Sequence, residues 1–273
     1  MPPTLSEELQ SWIGRTREVE EEITLAAVRR IAGMLDFDPE GFRRGDPLPP
    51  HWFTLFFGDA VRHSDIGADG HPKPGVVLPP IPLPRRMGAG RRVTMPGTLP
   101  IVPKQARTGF ITVLTMRHTI RRGGETVAVE EFDAIYREAV KPGEKSGVGA
   151  PVPAPAEADW REERHLDAAL VFRYSAVTWN AHRIHYDADY ARQEEGYPHT
   201  VQNGGLTMQL ALDAAVRHTR GRLAAYTARL TRPIYVGDTI TLAGRAPRGG
   251  KVAAWVQDRD GHLCAELECE FAP

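Results

Sequence analysis

Apolar positions fall into two regimes along this chain, short helical stripes early and long strand-like runs later. Thr4 and Glu7 stand at capping-box spacing ahead of a stripe of Leu5, Leu9, Trp12 and Ile13 that ends at Gly14. A second short helix is predicted from Thr24, with Leu25, Val28, Ile31 and Leu35 facing inward. Residues 110–120 and 126–136 are rich in β-branched and apolar side chains. Arg121-Arg122-Gly123-Gly124 between them reads as a hairpin turn. The first half is therefore expected to be helix plus antiparallel sheet, interrupted by a proline-rich excursion between about 46 and 105.

In the second half, residues 168–175 read as a strand. A helix from near Asn203 to about Arg220 carries Leu206, Met208, Leu210, Ala211, Leu212, Ala214, Ala215 and Val216 around most of its circumference. Such a pattern marks a buried helix rather than a surface one. Four strand-like segments follow at 223–230, 239–245, 251–257 and 262–271, the last two joined by an Asp260-Gly261 turn. One long buried helix followed by an antiparallel meander predicts an α+β fold in which a sheet wraps a helix, the hot-dog arrangement. The first half reads as a degraded copy, although no residue-level repeat proves a duplication.

Composition sharpens this outline. The chain has 273 residues, with 26 glycines and 23 prolines. That is an excess over the roughly 12% usual for these two, and it is concentrated. Asp46-Pro47-Leu48-Pro49-Pro50, Pro79-Pro80-Ile81-Pro82-Leu83-Pro84 and the stretch 141–156 hold much of it. The last has linker composition, dividing the chain into an amino-terminal half (1–140), a linker (141–160) and a carboxy-terminal half (161–273). The net charge of −1 gives no general pull toward nucleic acid. The longest run without Asp, Glu, Lys or Arg, residues 196–212, is too short and too polar to span a bilayer. The acidic start lacks the apolar core of a signal peptide, so a soluble cytoplasmic protein is expected. Cys264 and Cys269 lie an odd spacing apart on one predicted strand. They should occupy opposite faces as buried small residues, without a disulfide or a zinc site.

The densest reactive cluster is Tyr174-Ser175-Ala176-Val177-Thr178-Trp179-Asn180-Ala181-His182-Arg183-Ile184-His185-Tyr186-Asp187. It falls between the predicted strand and the buried helix, on a loop of the kind that carries function; a solvated polar turn is the plain alternative. A metal site from His182, His185 and Asp187 is disfavoured, because His-x-x-His outside a helix converges poorly and no further ligand is evident. Farther on, Asn203 can cap the long helix. Gly204 and Gly205 then either leave its first N–H groups open for an oxyanion or thioester carbonyl, or serve close packing.

Asn180 to Asp187, followed by Tyr197-Pro198 and a glycine-led helix, resembles the MaoC-like hydratases. The nearest branch is that of the type-2 hydroxyacyl-thioester dehydratases and the mesaconyl-CoA or itaconyl-CoA hydratases. The first half is similar too: His51-Trp52, then Gly67-Ala68-Asp69-Gly70-His71-Pro72, then Leu78-Pro79-Pro80-Ile81-Pro82-Leu83-Pro84-Arg85-Arg86-Met87. Arg232-Pro233-Ile234-Tyr235-Val236-Gly237-Asp238 resembles the motif at the start of a hot-dog strand. The similarity covers most of residues 10–272 and implies a double hot-dog acting on acyl-CoA. Three departures stand out. In the family pattern Asp-x-Asn-Pro-x-His, Asn180 replaces the aspartate and His182 the asparagine, while His185 keeps the histidine. Asn203-Gly204-Gly205 replaces His-Gly-Pro, and residues 94–109 are shorter than in relatives.

Hydrating an enoyl thioester needs a base, an enolate-oxygen site and a proton for the α carbon. His185 is the expected base, with Gly204 and Gly205 N–H groups at the thioester oxygen. Asn180 is expected to orient water, and Asp187 is a competing acid. His182 and Arg183 either hold a substrate carboxylate or bond the loop's own carbonyls. Arg85 and Arg86, with Arg91 and Arg92, form either a CoA-phosphate site or a solvated basic face. No cofactor beyond the acyl-CoA substrate and no metal is expected, and homodimerisation is left open. A hot-dog thioesterase, or a non-catalytic acyl-CoA-binding or partner subunit, is the competing reading.

Overall fold

A computed structural model describes residues 6–95, 112–122, 124–137 and 149–273. Eight antiparallel strands form one continuous sheet in the order β2-β3-β1-β5-β8-β7-β6-β4. The first half supplies β1 (Arg85–Thr94), β2 (Thr112–Arg122) and β3 (Glu125–Arg137). The second half supplies β4 (Trp160–His165), β5 (Arg222–Leu230), β6 (Thr239–Gly244), β7 (Lys251–Gln257) and β8 (Leu263–Ala272). The β1–β5 pairing, with Arg92 opposite Thr227, joins the halves edge to edge. A bulge between Gly88 and Gly90 shifts the β1–β3 register by one residue, which brings Arg86 and Arg91 onto one face despite their odd spacing.

The helices are α1 (Glu7–Gln10), α2 (Leu25–Met34), α3 (Ala168–Val177), α4 (Ala188–Gln193) and α5 (Gly204–Arg217). α1 is one turn capped by Ser6, whose Oγ accepts from Leu9 N; the expected Thr4 cap and Leu5 lie outside the described residues. α2 starts at the expected Thr24 cap and buries Val28 and Ile31. α5 is buried on every side from Leu206 to Ala215, with β5 to β8 wrapped around it. This is the hot-dog arrangement, and among the described residues the first half has no helix to match α5.

Residues 168–175 are a correction. They form helix α3, not a strand. Asp167 caps it, its Oδ1 accepting from Leu170 N at 2.8 Å, and Leu170, Val171 and Tyr174 make the single buried stripe. A short apolar run does not by itself separate buried strand from helix. Only the later part of the expected linker falls among the described residues. Residues 138–148 lie outside the described part. Beyond them Leu263 N donates to Val152 O and Ala154 N to Gly261 O, pinning that segment to the β7–β8 turn. Cys264 and Cys269 are free and buried; burial first of all pushes both thiols up to about 12. No helix of the described residues is long and apolar enough to cross a membrane.

The first half is anchored to α5 through the short 3-10 segment Pro50–Leu55. Trp52 is fully buried, packed edge-on to Phe37 and stacked with Phe42. Asp213 of α5 is the shared acceptor. Its carboxylate takes hydrogen bonds from His51 Nε2 (2.7 Å), Trp52 Nε1 (3.1 Å) and Gln209 Nε2 (3.2 Å). Asp213→Ala strands three buried donors, and truncating one member of such a set costs about 3–5 kcal/mol. A lower urea midpoint at unchanged m-value is the expected result, and an unshifted midpoint would contradict this anchoring role.

Candidate active site

Two loops from opposite halves build the site. One is the turn Gly67–Pro72, folded on itself by Gly67 N to His71 O at 2.7 Å and Gly70 N to Gly67 O at 3.0 Å. The other links α3 to α4 and contains the histidine cluster. They are zipped together. Arg183 N donates to Asp69 O at 2.9 Å, and Arg183 Nη1 donates to Ala68 O at 3.1 Å. Gly70, at φ +89°, lies so close to the Ala181 carbonyl that a Cβ there would overlap it. The second loop is tied in turn to the segment leading into α5, with Val201 N donating to Ile184 O at 2.8 Å.

Three imidazoles result from this docking. His185 Nδ1 lies 2.7 Å from Val201 O. A carbonyl only accepts, so Nδ1 carries the proton and Nε2 keeps its lone pair. Burial, foremost, lowers the His185 pKa to about 4, opposed by the Val201 bond and aided by the charge His71 would carry. The imidazole is thus neutral through the physiological range. His71 Nδ1 lies 2.9 Å from Asp69 Oδ2, so it too is protonated at Nδ1. The His71 pKa is lowered by burial first, with Asp69 pulling it up and Arg86 down. His182 is buried between them. Its ring centroid is 4.0 Å from that of His71 and 5.6 Å from that of His185, the latter pair edge to face. Burial, then the charge that His71 and His185 would carry and that of Arg86, hold His182 strongly neutral.

All three rings line a cleft of about 1470 Å³ together with Asn203, Gly204 and Gly205 at the start of α5. First-turn N–H groups of a helix have no carbonyl four residues back, so they and the positive helix end favour an oxygen that gains charge. Both glycines are required by packing. A Cβ on Gly204 would overlap Leu230, and one on Gly205 would overlap the Tyr174 hydroxyl. The same two residues line the cleft.

The remaining expected site residues are placed differently. Asn180 Oδ1 accepts from His182 N at 3.0 Å, closing an Asx turn, so its acceptor is committed to the loop. Asn203 precedes α5 without a side-chain cap; its amide pairs with Ser175 Oγ at 3.3 Å instead. Asp187 does not fit the role of competing acid. It is the N-cap of α4, accepting from Tyr190 N, and it pairs with Arg183 at 2.6 Å. The Tyr190 bond and then Arg183 hold its carboxyl below the usual range. Arg183 is spent on that pair and on the Tyr190 ring, 4.4 Å away. Arg183 Nη1 bonds the Ala68 carbonyl of the facing loop rather than a carbonyl of its own loop, and His182 is buried and held neutral.

The basic cluster is dispersed by the sheet. Arg85 is buried in an ion pair with Glu195 at 2.5 Å. Arg91 pairs with Glu130 at 2.6 Å, and Arg92 with Glu131 and Asp133 on the other face. Arg86 alone of the four lines the cleft without a carboxylate partner among the described residues, opposite Tyr136 across the β1–β3 pair. Sequence reasoning gave Asp69 and His71 no role. The signal was the Asp-Gly-His string itself, but its partners lie 115 residues away along the chain. One ligand atom each of Asp69, His71 and His182 falls within 4.8 Å of the others. The Asp69–His71 hydrogen bond and the Arg86 charge facing both rings oppose a cation there.

The family model for hydroxyacyl-thioester dehydratase type 2 matches residues 51–236, a span that includes both loops and α5. The chain is 35% identical over 287 residues to the mesaconyl-C(4)-CoA hydratase of Chloroflexus aurantiacus, covering 97% of this chain and 99% of that one. A MaoC-like dehydratase from Phytophthora capsici has the same fold, with a TM-score of 0.68 and 16% identity over 92% of each chain. HtdX from Mycobacterium tuberculosis follows, with a TM-score of 0.59 and 16% identity over 92% of this chain and 97% of that one. Two histidine-bearing loops locked over the amide end of a sheet-wrapped helix, within a match that spans nearly the whole chain, make this protein a hydro-lyase of the hydroxyacyl-thioester dehydratase type 2 family.

Proposed function

We propose that the protein adds water reversibly to a short α,β-unsaturated acyl-CoA whose acyl group carries a second carboxylate, of the mesaconyl type. The observation that carries this reading is the His185 tautomer: Nδ1 is committed to Val201 O, so Nε2 is the basic atom on a ring that lines the cleft with the α5 amide end. The near full-length likeness to a mesaconyl-C(4)-CoA hydratase supports the acyl class.

Water donates its hydrogens to two acceptors, His185 Nε2 and His71 Nε2, which turns an oxygen lone pair toward the β carbon. His71 thereby takes the orienting part first expected of Asn180. As the C–O bond forms, His185 accepts a proton and the π electrons move onto the thioester oxygen. The N–H groups of Gly204 and Gly205 stabilise that charge. The His185 imidazolium then returns its proton to the α carbon, so H and OH add to the same face and the base is restored. Asp69 keeps His71 in the Nδ1–H tautomer and compensates any charge it acquires. No electrons leave the substrate, so acid–base groups suffice.

The test is incubation of the full chain with mesaconyl-C(4)-CoA, itaconyl-CoA and crotonyl-CoA. Loss of the enoyl absorbance without release of thiol is expected. Free thiol would mean a thioesterase, and no change with any substrate would leave a binding subunit.

A further inference from the structure

We infer that Arg86 is the residue that reads the free carboxylate of the acyl group, seating it beside the carbon that water attacks. The inference rests on the hydratase reading and adds the origin of its substrate preference.

β1 carries four arginines, and the sheet disposes of three of them. Arg85, Arg91 and Arg92 each have a carboxylate within 3.1 Å. The other cleft-lining cations of the second half are also engaged, Arg183 by Asp187 at 2.6 Å and Arg232 by Asp258 at 3.6 Å. Arg86 sits opposite Tyr136 on β3, and the neighbour it acts on there is a phenol rather than a carboxylate. The nearest acids are occupied elsewhere, Asp69 by His71 and Glu195 by Arg85. A guanidinium held by a sheet register, facing neutral partners in a cleft, is a preformed anion site.

Its position selects the anion. Arg86 lines the same cleft as His71, His182 and His185, and its charge lowers the pKa of His71 and His182, so it belongs to the imidazole group where water is handled. The phosphates of CoA are a pantetheine arm away from the thioester and do not reach that point while the acyl group reacts. A carboxylate attached to the β carbon does, because it is one bond from the carbon attacked. Pairing it with Arg86 also matters for the chemistry. An unpaired carboxylate there repels the incoming oxygen lone pair, and a guanidinium withdraws that charge. Arg86 thus favours attack as well as binding. Pairing also offsets the Arg86 charge that, after burial, lowers the His71 pKa, so a carboxylate-bearing substrate leaves His71 more basic than an uncharged enoyl thioester does.

Initial rates of the wild type, Arg86→Met and Arg86→Lys with mesaconyl-C(4)-CoA and with crotonyl-CoA test this. The wild type should prefer the carboxylate-bearing substrate. Arg86→Met should lower kcat/KM for that substrate by about 10²-fold relative to crotonyl-CoA, and Arg86→Lys should recover part of the ratio, since an ammonium keeps the charge without the planar fork. Equal losses on both substrates would overturn the inference, pointing to CoA phosphates or to folding. A wild type that hydrates crotonyl-CoA but ignores the carboxylate-bearing substrate would overturn it while sparing the hydratase reading. A wild type that hydrates neither would remove both. If Arg86→Met does not fold, the Arg86→Lys ratio alone decides, an unchanged ratio being the contrary result.

Discussion

Alanine at position 185 lowers the turnover number for hydration by about 10²-fold or more, with a smaller change in KM. The ring's hydrogen bond is to Val201 O, and the loop keeps its independent ties through Val201 N to Ile184 O and Arg183 N to Asp69 O. The variant therefore folds, and the loss reports the missing base. The pH profile gives a sharper readout. Neutral imidazole is the active form, and burial sets its pKa at about 4, below the ordinary 6.5. Wild-type kcat/KM should stay flat as pH is lowered past 6 and fall only as it approaches 4. The groups facing His185 are His182 and His71, and burial lowers the pKa of both, so their titration moves in the same direction. Stability follows the same sign. Below pH 6.5 the unfolded chain binds protons that folded His182 and His185 refuse, so stability declines as pH falls from 6.5 toward 4. Rates in that window are read immediately after a pH jump. An acid limb near 6.5 that persists in His185→Ala would assign the base to another group.

The elements that hold the base were legible before any coordinates. α5 is apolar around its whole circumference, and four strands follow it as the local pattern predicts; β6, β7 and β8 form a meander, but β5 pairs with β8 rather than β6, so the expected four-strand meander holds for three strands. α3 was misread because eight apolar-rich residues carry no decisive period. The available signal was the Asp167 cap with Leu170, Val171 and Tyr174 at helical spacing. In the site, His182 and His185 were visible because they cluster in sequence. The Asp69–His71 pair was not, because its meaning lies in docking against Ala181 and Arg183 of the other half. Charge was legible only in part for the same reason. Arg85 and Arg86 look alike in sequence and both line the cleft, yet Arg85 is paired with a buried glutamate and Arg86 sits opposite Tyr136. Fold was written in local periodicity, and the roles of the charged residues in partners more than 100 positions distant.

Gly70→Ala should be more damaging than its size suggests, because it attacks that docking. Gly70 adopts φ +89°, in the left-handed region where a Cβ is strained, and the new methyl would overlap the Ala181 carbonyl oxygen. The strain alone is about 1–3 kcal/mol, and relief requires the two loops to part. Parting them breaks Arg183 N to Asp69 O and Arg183 Nη1 to Ala68 O, and moves His71 away from His182 and the water it helps to aim. A displacement near 1 Å at a reacting centre costs about 10²-fold in rate. Gly70→Ala is therefore expected to lose at least that much kcat while still folding, since β1–β8 and α5 do not depend on the turn. Gly75→Ala is the matched control: it has a positive φ of 84° in the same excursion but nothing within 4 Å of its added Cβ, so it bears the backbone strain without the loop clash. Similar activity loss in both variants would mean that backbone strain, not the seating of one half's histidine against the other's, accounts for the effect. A large loss confined to Gly70→Ala would place the catalytic centre at the seam between the two halves.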